Sequence, residues 1–169
     1  MRHIKNSVTQ YLFEPSTRTL AVCLQRGLLL GLVSLTASMT LVWMASTVLG
    51  LLQVEKEDRF QNESIGLSDL IGYDVVDPLF ETIFLVLLLN GVRKRIQDIK
   101  IISFSVAIIV AALHGLVSPI AFFGTIISFY IFSYNSLSWL EDTQWLAVVA
   151  AYIPHLVVNS IAFLALWFQ

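Results

Sequence analysis

Charge is scarce in this sequence: 13% of its 169 residues are Asp, Glu, Lys or Arg, against 57% hydrophobic. A soluble domain of this size needs far more charge to cover its surface. Cysteine is nearly missing as well, and the single Cys23 excludes an internal disulfide. A formal net charge of −2 lacks the basic excess of a nucleic-acid binder, so no nucleic-acid partner is expected. There is no internal repeat, no low-complexity segment, and no Ser-His-Asp or Cys-His arrangement suited to nucleophilic catalysis.

What the sequence has is long apolar runs, with a mean hydropathy of +0.78. Continuous runs, in place of stripes, point to helices surrounded by lipid. Residues 1–26 form a basic segment in which Arg2, Lys5, Arg18 and Arg26 face one acid, Glu14. The first run, 27–52, carries no charge and would be about 39 Å long as a helix, too long for a signal-peptide core. Gly27, Gly31, Ser34 and Ser38 give it a small-residue stripe for close approach of another helix. Cys23, between the basic segment and this run, reads as an interfacial residue, with lipidation as the alternative.

Residues 53–77 are acidic and form the one long loop, with an Asn62-Glu63-Ser64 glycosylation triplet and a mixed section, 67–76, expected along the interface. The remaining 78–169 hold four further spans: 78–91, opening with Pro78; 101–118; 119–134; and 145–168. Tyr130, Tyr134, Trp139, Trp145 and Trp167 fall where aromatic belts are expected. The expected fold class is therefore all-α, a polytopic membrane helical bundle of about five transmembrane helices. Arg93, Lys94, Arg95 and Lys100 mark a second basic segment, so the positive-inside rule puts this loop and the N-terminus in the cytoplasm, with 53–77 outside. The expected location is a prokaryotic inner or plasma membrane.

Ionisable residues inside spans are rare, and each is a functional candidate. Here they are Glu81, His114 and His155, with Asn159 four residues beyond His155 and so on the same helix face. Pro154 next to His155 frees a backbone carbonyl one turn earlier. Each residue also has a bland reading: a first-turn acid at Glu81, a carbonyl-capping histidine at His114, an interhelical hydrogen bond at His155 and Asn159. Glu81, His114 and His155 also match the residue types of a catalytic zinc set, although the His-Glu-x-x-His spacing is missing.

The segments Pro78-Leu-Phe-Glu81-Thr82, Ala111-Ala-Leu-His114-Gly115 and Pro154-His155-Leu-Val-Val-Asn159 together resemble the three motifs of the CPBP family, the CAAX-protease and bacteriocin-processing proteins. The resemblance covers roughly residues 75–169. The family's first motif reads Glu-Glu-x-x-x-Arg; here Thr82 stands at the second glutamate and Val86 at the arginine. An acid and a base are replaced together, which leaves no stranded buried charge. A slip by one, with Glu81 at the second position, is the other alignment.

The resemblance implies an intramembrane glutamic endopeptidase that needs no cofactor. Glu81 and His114 would hold and activate a water, and His155 and Asn159 would donate to the oxyanion, with Thr82 as a possible accessory residue. The implied partner is a membrane-tethered or exported protein, processed near the outer leaflet at a sorting-signal or CAAX-like segment. The reading of a different class is a membrane scaffold or bacteriocin-immunity protein without activity. The two differ in whether Glu81 and both histidines share one cavity.

Overall fold

The computed structural model describes residues 18–51, 70–141 and 143–167. The glycosylation triplet, the basic residues before Arg18 and the start of the mixed section therefore lie outside the described residues. The described residues form an all-α bundle with five α-helices: α1 Leu20–Leu51, α2 Asp77–Arg93, α3 Ile99–Gly115, α4 Pro119–Trp139 and α5 Gln144–Trp167. Among the described residues four segments are long and apolar enough to cross a membrane, α1, α2 with the residues before it, α4 and α5. The 17-residue α3 is also apolar; at about 26 Å it sits at the short limit for a span. Large apolar side chains point outward, including Trp43, Phe80, Leu87, Phe104 and Leu116. That arrangement suits a lipid solvent and would be a large apolar patch in water.

The second span begins earlier than Pro78. Residues Leu70–Val76 form a π-helix that runs into α2 through Val76, whose backbone is αR. Pro78 has no N–H to offer the ladder, and the helix is α-helical from Asp77 onward. Glu81 consequently lies eleven residues along a continuous helix, not one turn from its start. At the next junction Asp98 caps α3, its carboxylate accepting from Lys100 N at 2.8 Å and Ile101 N at 3.2 Å.

The small-residue stripe packs as expected. A Cβ on Gly27 would lie 2.8 Å from Ile153 Cβ, and one on Gly31 would lie 2.7 Å from Val157 Cβ. Only glycine lets α1 approach α5 this closely. One turn further on, Ser34 Oγ donates to Ser128 Oγ of α4 at 2.8 Å, and Ser38 Oγ lies 2.8 Å from the same hydroxyl. The main core joins Leu30, Leu85, Leu89, Ile102, Val106, Phe129 and Phe132.

Two side chains at the loop end of the bundle are more enclosed than their positions in the sequence suggest. Trp139 is fully buried and takes no part in an aromatic belt; it packs with Cys23, Ala147 and Ala150, and the Arg26 guanidinium lies 5.6 Å from its ring centroid. Cys23 is likewise buried in this second core, and its thiol faces Leu146 O at 3.8 Å. A thiol enclosed in this way is not open to a lipid donor. Trp145, by contrast, is 63% exposed, as a belt residue should be. The early turns of α1 and α5 and the last turn of α4 meet here, and Arg93 Nη2 reaches Glu141 Oε1 at 3.0 Å across the two adjoining loops.

Candidate active site

Three helices bring the ionisable residues to one level. Glu81 lies twelve residues before the end of α2, and His155 eleven after the start of α5, about 17 Å from the loop end in both cases. His114 comes from the last turn of α3. They line one cavity of about 260 Å³ with Gly124, Thr125, Ser128, Phe129, Phe132, Val158 and Asn159. Glu81, His114, His155 and Asn159, the four residues singled out in the sequence, thus share a single space, and none of them scatters to lipid.

The Glu81 carboxylate stands between the two imidazoles. Oε2 is 3.4 Å from His155 Nε2, and Oε1 is 3.9 Å from His114 Nε2. His114 Nδ1 lies 2.9 Å from Val110 O. A carbonyl only accepts, so the Nδ1 proton is fixed there and a neutral His114 presents a bare Nε2 to the cavity. Val110 O lies inside the helix and is not one of its free end carbonyls, so His114 does not cap α3; it spends one nitrogen on its own helix and keeps the other toward the cavity. His155 faces Glu81 with Nε2 and Thr82 Oγ1 with Nδ1, at 3.4 Å. Because a carboxylate accepts, the consistent arrangement has Nε2–H donating to Glu81 and the Thr82 hydroxyl donating to Nδ1.

Aromatic rings hold both histidines. Phe132 stacks on His155 with centroids 5.0 Å apart, and Phe129 meets its edge at 5.3 Å. Phe129 also lies 5.5 Å from His114. The His155 side chain is only 5% accessible, whereas His114 is 31% and Glu81 41% accessible. The cavity is thus closed behind His155 and open on the Glu81 side.

Thr82 is buried against His155, and Val86 is buried in the helix core one turn later. At the positions where the resemblance expects an acid and a base, the chain has a neutral contact and an apolar one. Among the described residues no group of three His, Cys, Asp or Glu side chains is arranged as a metal site.

Sequence reasoning missed the α4 wall, although Gly124, Ser128 and Phe132 recur every fourth residue and share one face. It also missed Asn135, whose Nδ2 donates to Ala150 O at 2.7 Å. Asn159 is placed at the cavity, and its Nδ2 donates to the Tyr73 carbonyl at 3.3 Å. Against known proteins, no family model matches the chain, and no curated protein or solved structure matches it.

Proposed function

We propose that this chain is an intramembrane endopeptidase that uses a glutamate-activated water, as its resemblance to the CPBP proteins implies. One observation carries the reading: the Glu81 carboxylate lies between the His114 and His155 imidazoles in an accessible cavity. The 3.9 Å gap between Glu81 Oε1 and His114 Nε2 has an acceptor on each side. A water there donates one hydrogen to each acceptor, which turns an oxygen lone pair toward the cavity. On attack, Glu81 takes the proton and weakens as an acceptor, which frees His155 Nε2–H to turn to the oxyanion beside the Asn159 Nδ2 hydrogen that is not given to Tyr73 O.

The substrate class that fits is a membrane-tethered or exported protein, with a CAAX-like segment as runner-up. In the orientation we propose, the N-terminus and the 93–100 loop are cytoplasmic, in a prokaryotic inner or plasma membrane, and the cavity opens outward from about mid-bilayer. The Arg93–Glu141 pair supports a shared side for the 93–100 and 140–143 loops.

A scaffold without activity is favoured by one fact, that the Asn159 amide already has an acceptor within the chain. The distinguishing experiment co-expresses the protein with membrane-anchored substrate candidates and maps cleavage by mass spectrometry. The proposal expects new termini near the outer membrane boundary with wild type and none with Glu81→Gln. Identical peptide maps from the two would leave the scaffold reading in its place.

A further inference from the structure

The π-helix Leu70–Val76 lies along α5 as a strap held by three polar contacts. Asn159 Nδ2 donates to Tyr73 O at 3.3 Å, the Tyr152 hydroxyl donates to Val75 O at 3.3 Å, and Ser160 Oγ donates to Asp74 Oδ2 at 2.9 Å. Tyr152, His155 and Asn159 are spaced three and four residues apart, so they form one stripe on α5 with the catalytic histidine in its middle. The first two acceptors are main-chain carbonyls two residues apart. A peptide unwound from its own helix presents that same chemistry, since its carbonyls need donors wherever water is excluded.

The strap is held weakly. Both carbonyl contacts are long for hydrogen bonds. Asp74 is buried, yet its Oδ1 has no hydrogen-bond partner among the described residues, a costly situation that undocking would relieve. π-Helices are rare and are found frequently at functional sites.

We propose that residues 70–76 occupy the main-chain docking stripe of α5 in cis, and that a substrate peptide displaces them to reach Asn159. The inference rests on the protease reading for its functional consequence, because the docked strap spends one of the two Asn159 Nδ2 hydrogens on Tyr73 O and so fixes the direction of the amide. A purely structural clamp would have the opposite consequence: loosening it would only impair the protein.

The test has two arms. In the first, Ser160→Cys, at the Asp74 contact of the strap, reports undocking in a Cys23→Ala background, and its labelling by a small methanethiosulfonate is timed in detergent. Tyr152→Phe, or Asn159→Ala as a second release variant, removes a donor to a strap carbonyl and should speed labelling about fivefold or more by raising the undocked population. Unchanged or slower labelling in both variants overturns the strap. In the second arm, Asp74→Cys with Ser160→Cys is oxidised to pin the strap. Proteolysis should fall about tenfold and return on reduction, and proteolysis indifferent to the crosslink overturns the strap while leaving the protease reading in place. Accelerated labelling in a protein that cleaves nothing would do the reverse.

Discussion

Asn135 Nδ2 donates at 2.7 Å to the carbonyl of Ala150, the carbonyl that Pro154, four residues later, leaves without its helical partner. The amide from α4 thereby repairs the α5 ladder immediately before His155. Asn135→Ala should lower stability by about 1–3 kcal/mol, because a buried carbonyl loses its donor. Pro154→Ala restores an N–H at that site, so it should recover part of the loss in the Asn135→Ala background. Thermal unfolding of the four proteins in detergent measures the coupling. Equal effects of Pro154→Ala in both backgrounds would show that the two residues are independent.

The close approach of α1 to α5 gives an internally controlled prediction. Gly31→Ala puts a Cβ 2.7 Å from Val157 Cβ and 3.2 Å from the Pro154 backbone, and should destabilise by about 1–3 kcal/mol. Gly50→Ala meets nothing within 4 Å and should be neutral or slightly stabilising. The same unfolding measurement decides, and equal effects at the two positions would contradict the packing.

Much of this fold is legible in the sequence. Uncharged runs announced the helices, and the Gly27 to Ser38 stripe announced where α1 is approached. The order Glu81, His114, His155, Asn159 named four members of the cavity. The rest was hidden for a common physical reason: a helix apolar all round does not reveal which face meets protein and which meets lipid. Trp139 and Cys23 looked interfacial by position and are buried because α1, α4 and α5 converge there. The strap was hidden because its alternation of acids and apolar residues suits an interfacial helix as well as a docked one.

Thr82 orients His155, so its hydroxyl should matter more than its bulk. Thr82→Val keeps the volume and removes the donor to Nδ1. Turnover should drop about ten- to a hundredfold with little change in KM, by analogy with other partners that fix a histidine tautomer. Thr82→Ser should recover most of it. A serine variant as poor as the valine variant would show that Thr82 acts through packing alone.

The proposed orientation is tested by single cysteines in a Cys23→Ala background. A membrane-impermeant thiol reagent applied to intact cells should label Ser118→Cys, in the α3–α4 turn, and spare Gln97→Cys, in the basic loop before α3. The reverse pattern would turn the cavity toward the cytoplasm and favour CAAX-like substrates.

The central claim is that Glu81 supplies the base in a cavity it shares with two histidines. Its most direct test is turnover of purified, reconstituted protein on a cleaved substrate, comparing wild type with Glu81→Gln. Glutamine keeps the shape and loses the basicity, so kcat should fall about 10²- to 10⁴-fold while the unfolding midpoint stays within a few degrees. Turnover by Glu81→Gln at the wild-type rate would contradict the account.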